Sequence, residues 1–294
     1  MELLHTLHMN LMTPVYLIVW ACYMRLFITD SLFAHKWSTR FALAAVVLDT
    51  AAMVHLGLEL KRLPMGGTLE FLGLLALALL VTYLLIEMRQ VNKHTGFLIT
   101  GMAFVCKLLA DLLTSPVPEV NPYLSDPGFA GHALFILIAY TALSLSFLYA
   151  VLYLILARQL NRRRFGLLFR RLPSLDGLER MSIGAVEIGA PMLFVGLSLG
   201  HLWMYNLAHI LAPELATSLS PYDPKILVSW IVFAAFAVIL VGYRFLDWRG
   251  RRMVTLTAIA YLCLVLAMGL LNHYAPSFHK FQPTTIVEPS GGGS

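Results

Sequence analysis

HALFILIAYTALSLSFLYAVLYLILA, residues His132–Ala157, is an uncharged run of 26 residues that passes directly into RQLNRRR, Arg158–Arg164. A hydrocarbon core about 30 Å thick takes roughly 20 helical residues. The run is therefore long enough to cross a bilayer, and the arginines after it mark the end that stays on the cytoplasmic side. Seven further stretches have the same character: Leu11–Ile28, Phe41–Leu60, Phe71–Ile86, Phe97–Leu113, Met181–Ala208, Pro224–Tyr243 and Val254–His273. Composition agrees, with 59% hydrophobic and 13% charged residues and a mean hydropathy of +0.76 over 294 residues. A soluble enzyme, a disordered tail protein and a nucleic-acid binder are excluded on this balance. The expected fold is all-α: a polytopic membrane bundle of about eight helices in a lipid bilayer.

The cations orient it. Sixteen Lys and Arg residues fall around the connections between spans 1 and 2, 3 and 4, 5 and 6, and 7 and 8, against four (Lys61, Arg62, Lys225, Lys280) at the other ends. Translocating positive charge is disfavoured. Both termini and the segments 61–70, 114–131 and 209–223 are therefore expected on the outer face of the plasma membrane, and the basic loop 158–180 inside. That loop reads as an orientation signal, with anionic-lipid contact as the other role such a cluster takes. Leu11–Ile28 is followed by Thr29-Asp30-Ser31 and a basic loop rather than a cleavage site, so it is expected to remain as the first span. Residues 1–288 form one membrane domain, and 289–294, ending in Gly-Gly-Gly-Ser, read as a linker or appended tail. Gly184, Gly189, Gly196 and Gly200 read as points of close helix packing.

Cys22, Cys106 and Cys263 lie in apolar runs without a CxxC pair and read as small buried side chains. Lys107 and Asp111, at i, i+4 in the fourth span, read as an intramembrane ion pair. Asp49 and Glu187 lie in inner halves of spans, within reach of basic loops.

Eight of the ten histidines fall in the outer half or beyond it; His35 and His94 are the inner pair. His55, His132, His201 and His273 occupy a layer on the order of 10 Å deep, at 1.5 Å per helical residue. Imidazole in hydrocarbon is costly unless paired or ligated. An interhelical hydrogen bond satisfies one such ring. Several at one depth match a haem iron, which takes two axial histidines from facing helices. Zinc is the other metal that imidazole suits, but no His-x-x-x-His or His-Glu-x-x-His run is present. His5 and His8 read as surface polarity near the terminus. Arg62, Lys225, Lys61 and Lys280 are the outward cations for haem propionates, or interfacial anchors by snorkelling. Trp203, Tyr205, Tyr222, Tyr274 and Phe278 read as the interfacial aromatic belt. No nucleophile, base and acid come together in the sequence, so the chain is not read as an enzyme.

From about Phe41 to Phe281 the pattern resembles the cytochrome c assembly protein family of CcsA and HemX type. The anchors are Arg62-Leu63-Pro64-Met65-Gly66-Gly67-Thr68-Leu69-Glu70, Gly131-His132-Ala133-Leu134, Leu178-Glu179-Arg180, Gly196-Leu197-Ser198-Leu199-Gly200, Asp223-Pro224-Lys225 and Trp248-Arg249-Gly250-Arg251-Arg252. The resemblance implies haem handling at the outer face. Its haem-binding histidines fall by motif on His132 and His279; shared depth adds His55, His201 and His273 as further candidates, and haem b is the expected cofactor. Partners would be cytochrome c assembly proteins or apocytochrome c. Two departures favour the shorter HemX-like branch. One tryptophan remains in the segment before Asp223, and Leu240-Val241-Gly242-Tyr243-Arg244 carries no histidine near the inner end of the seventh span. The alternative is a b-haem electron-transfer subunit that exchanges electrons with quinone or an external cytochrome.

Overall fold

The computed structural model describes residues 2–89, 93–113, 122–163, 165–210 and 223–274, and among these there are helices and turns but no strand. The helices are α1 (Glu2–Thr29), α2 (Leu32–Leu60), α3 (Thr68–Arg89), α4 (Gly96–Leu113), α5 (Pro127–Asn161), the short α6 (Leu167–Arg171), α7 (Leu175–Ile210), α8 (Pro224–Phe245) and α9 (Gly250–Tyr274), with a 3-10 turn at Pro122–Ser125. Eight of these helices are long and apolar enough to cross a membrane, and each matches an expected span.

Most helices run past the apolar stretch that announced them. The expected His132–Ala157 becomes Pro127–Asn161, and Phe41–Leu60 becomes Leu32–Leu60. Hydropathy marks the hydrocarbon depth, whereas caps decide where backbone bonding starts. Ser31 caps α2 by accepting from the Ala34 amide at 3.3 Å, and Asp126 caps α5 by accepting from the Gly128 amide at 2.7 Å. At α8 the Asp223 carboxylate accepts from the Lys225 amide at 2.8 Å and Pro224 takes the first helical position, as the sequence suggests.

Helices α1–α4 pack on one another, and α5 packs on α7 and α9, with α8 against α7 and α9; the contact of α3 with α5 joins the two groups. Large apolar side chains such as Leu58 (74% exposed), Met88 (83%) and Phe245 (80%) cover the outside, a surface for lipid rather than water. The cysteine expectation fails for this reason. Cys106 is buried, but Cys22 is half-buried and Cys263 exposed, because a lipid-facing position is as apolar as a core position.

The α5–α7 seam is built on three of the four α7 glycines that the sequence singles out. A Cβ on Gly189 would lie 2.8 Å from Leu143, one on Gly196 2.8 Å from Ile136, and one on Gly200 2.6 Å from His132 Nδ1. Gly184 has nothing within 4 Å and is not a packing point.

Inside α1–α4 the buried charged groups are paired. Lys107 Nζ reaches Asp49 Oδ1 at 3.1 Å and Asp111 Oδ1 at 3.8 Å, so the expected pair within α4 is the looser of two. A single-helix spacing cannot reveal the partner on α2. Tyr16 donates to Asp49 at 2.7 Å and Thr13 to Asp111 at 2.6 Å. Toward the other end, Glu87 accepts from Tyr23 and Thr39 and lies 2.8 Å from Lys93 Nζ. Glu187 does pair with a basic residue at a helix end, Arg244, at 3.1 Å.

Asp30, between α1 and α2, bonds His35 (2.8 Å), His94 (3.2 Å) and Arg171 of α6. These contacts gather the connections after α1 and α3 with α6 at one basic end. The bonds from His35 and Arg171 hold the Asp30 carboxyl down at about 2, and burial pushes the His94 imidazole below its ordinary range.

Candidate functional site

At the end of the bundle opposite Asp30, α5, α7 and α8 enclose a cavity of about 160 Å³. His132, His201 and Lys225 line it together with Phe129, Tyr140 and Trp203. The two histidines and the lysine come from three different helices, and the local sequence explains each placement. Asp126 and Pro127 start α5 so that Phe129 and His132, three apart, share a face. The bare backbone of Gly196 and Gly200 lets the His132 ring lie directly on α7, where its Nδ1 meets the Gly196 carbonyl at 2.7 Å. His201 Nδ1 meets the Leu197 carbonyl one turn back at 3.0 Å, and its ring sits 5.7 Å from that of Trp230. The Asp223-Pro224 cap then sets Lys225 at the start of α8.

A carbonyl only accepts, so Nδ1 is the donor in both rings, and in the neutral form of such a ring the lone pair is on Nε2. Metal-bound histidines use this same arrangement, since the bond through the other nitrogen fixes the tautomer and raises ligand basicity. Among the described residues no three His, Cys, Asp or Glu side chains form a group that could hold a bare metal ion. Two imidazoles beside an apolar, aromatic-walled space match instead a metal whose remaining ligands come from a macrocycle. Lys225 adds a cation that suits carboxylate substituents.

The other expected site residues lie elsewhere. His55 is on the outer surface of α2, with a side chain 67% exposed and 4.0 Å from Glu59. Arg62 is neither a snorkelling anchor nor part of this cavity. Its buried guanidinium binds Glu70 through two bonds of 2.8 and 2.9 Å, and Glu70 also accepts from the Gly66 amide at 2.8 Å. This motif therefore braces the turn between α2 and α3. His279, Lys280, Tyr222, Phe278 and the side chains of His5, His8 and His273 fall outside the described residues.

Of the residues read as an aromatic belt, Tyr205 and Tyr274 are 65% and 76% exposed, whereas Trp203 is buried with its ring 5.4 Å from Phe129. Ser229 and Met268 also line the cavity and were not singled out by the sequence. Ser229 lies one helical turn beyond Lys225, a spacing that points to it once the cap is known.

Comparison with known proteins places these residues in context. The family described as "Cytochrome C assembly protein" matches residues 65–279, a range that holds the cavity's histidines, lysine and aromatic walls. Protein HemX of Brevibacillus brevis is 27% identical over 186 residues, 63% of this chain and 65% of the relative, so the chain spans just under two thirds of that protein. Inner membrane protein YpjD of Escherichia coli is 26% identical over 240 residues, 79% of this chain and 84% of the relative. Cytochrome c biogenesis protein CcsA of Gloeobacter violaceus is 29% identical over 121 residues, 40% of this chain and 32% of the relative. No solved structure matches the chain. With the family matching well over half of its length and eight helices fit to cross a membrane, this multi-pass membrane protein belongs to the cytochrome c assembly protein family.

Proposed function

We propose that the protein binds b-type haem at the cavity between α5, α7 and α8 and handles it during cytochrome c assembly or haem supply. The observation that carries this reading is the convergence of His132 and His201, from two helices, on one apolar cavity with Lys225 at its wall. The donor set fits haem: two imidazoles with lone pairs on Nε2, aromatic walls for the macrocycle and a cation for its propionates. The enclosed volume, about 160 Å³, is below the roughly 300–1,000 Å³ of drug-sized ligand sites. The walls would hold part of a porphyrin, the rest extending beyond the cavity. Haem would supply the iron and, in an assembly factor, is itself the cargo.

The chain's own contribution is to hold both rings through carbonyls, to exclude water with Phe129, Tyr140 and Trp203, and to offer Lys225 to anionic groups. Attachment would be non-covalent, since the three cysteines are not on the cavity wall. His279 completes the candidate ligand set on the strength of the family resemblance, joining His132 in the family pattern, and His273 is a further candidate from the depth its sequence position implies. By the distribution of cations, the site faces outward from the plasma membrane. Haem, lipid, apocytochrome c and other assembly proteins are the partners this role requires.

Purified from haem-replete cells, the protein is expected to carry acid-acetone-extractable haem with a six-coordinate, low-spin Soret spectrum. A colourless protein that gives no specific spectrum with haemin overturns the proposal. Reduction of the haem by a quinol on a catalytic timescale would replace assembly with electron transfer.

A further inference from the structure

At the basic end, α5 finishes with Arg158 and Arg162 one turn apart, on the face that also carries Ile155, and α9 begins with Gly250 and Arg251. Between these helix ends lies a cavity of about 430 Å³. Leu154, Ile155 and Ala157 form its apolar part, and Arg158, Arg162 and Arg251 its charged part. A second cavity of about 490 Å³ shares Ile155, Arg158 and Arg162, and adds Gln159 and Gly166. The same two arginines therefore border both spaces.

Neighbouring arginines at this end are engaged. Arg171 bonds Asp30, Arg244 pairs with Glu187, and Arg249 and Arg252 lie over the rings of Tyr243 and Trp248. Arg158, Arg162 and Arg251 differ: among the described residues no carboxylate pairs with any of the three guanidinium groups. Glu179 is close by, but it accepts from the Gly250 amide at 2.7 Å. Three like charges from two helices thus border one space, at an exposed end where a bound anion would relieve their repulsion. Guanidinium groups match phosphate oxygens in geometry as well as charge. The first turn of α9 adds the positive end of its helix dipole.

We propose that the cavity between the end of α5 and the start of α9 binds the headgroup of an anionic phospholipid of the phosphatidylglycerol type, its phosphate on Arg158, Arg162 and Arg251 and an acyl chain along Leu154 and Ile155. Three features favour a lipid over a free phosphate. The cavity lies at the end of membrane-spanning helices, its apolar part continues onto the lipid-facing surface through the 40%-exposed Ile155, and basic pockets between spanning helices recognise such headgroups. A glycerol headgroup also brings hydroxyl donors to a wall where Gln159 Oε1 is buried without one.

The test is native mass spectrometry of the full-length protein incubated with equal amounts of phosphatidylglycerol and phosphatidylcholine, with an R158Q/R162Q/R251Q variant and a K36Q/R40Q control that removes charge from the same end. Wild type and control are expected to retain phosphatidylglycerol about tenfold or more over phosphatidylcholine, and the triple variant to lose that preference. Melting curves check that the variants are folded; should the triple variant fail to fold, R158Q alone must lower the preference. Equal retention of the two lipids by wild type, or a preference that survives all three substitutions, overturns the proposal. Displacement of phosphatidylglycerol by millimolar inorganic pyrophosphate would assign the arginines to a soluble anion and likewise overturn the lipid assignment.

Discussion

In α1–α4 the buried charged groups satisfy one another: Lys107 has two carboxylates, each carboxylate has a hydroxyl donor as well, and Glu87 has Lys93, Tyr23 and Thr39. In α5, α7, α8 and α9 the interior is held by neutral pairs such as Ser144 with Tyr261 at 2.6 Å and Ser146 with Ser182 at 3.1 Å, while two imidazoles border a cavity. The contrast separates two uses of a costly polar group in a membrane. A closed ionic network joins helices and stays within the interior, whereas the two rings, each tethered through Nδ1 to a carbonyl, border a space that a ligand can enter. Charge inside a bilayer is thus a poorer guide to the site here than histidine beside a cavity.

The strongest way to break this comparison is K107L. It strands Asp49 and Asp111, and is expected to destabilise the protein by about 3–5 kcal/mol in thermal or detergent unfolding. Whatever folds should bind haem as wild type does; loss of haem at unchanged stability would contradict the division. Next in size is G200V, whose side chain would enter the His132 ring. A loss of about 1–3 kcal/mol is expected, with haem retention reduced far more than by K107L. The parallel change G184A, where a Cβ meets nothing within 4 Å, should leave both properties unchanged.

D223A removes the cap that places Lys225 and should cost about 1 kcal/mol, together with weaker haem retention; retention as in wild type would take Lys225 out of the site. The smallest effect concerns the Asp30 cluster. The Asp30 carboxyl is held at about 2, so its contribution to stability is complete above the unfolded value near ~3.9 and is lost as pH falls through about 2. His94 is also shifted down, so acid withdraws its contribution as pH falls below the ordinary ~6.5. Hydrogen exchange at residues 30–35 and 94–96 should therefore accelerate on acidification, in two stages. D30N should remove the lower stage and leave exchange near the imidazole cavity unaltered.

Hydropathy alone located all eight spans, because long, mainly apolar runs admit little else in a chain of this composition. It missed helix ends, which depend on Ser31, Asp126 and Asp223. It also could not tell core from lipid, and so misjudged Cys263. Depth brought His132 and His201 into the same layer, but depth says nothing of facing. The buried positions of α2 are Ala34, Ser38, Ala42, Ala45 and Asp49, and at 100° per residue His55 lies about 240° around the helix from Asp49. Its exclusion was available in the sequence once Asp49 was recognised as inward-facing. The Lys107 to Asp49 pair was not available, since it spans 58 residues and depends on how α2 meets α4.

The most direct test of the central claim is a haemin titration followed by absorption, comparing wild type with the H132A/H201A double variant and with H55A. Low-spin binding in wild type and H55A and its loss in the double variant is the predicted result. An unchanged spectrum and affinity in the double variant, or loss of binding in H55A alone, would contradict it.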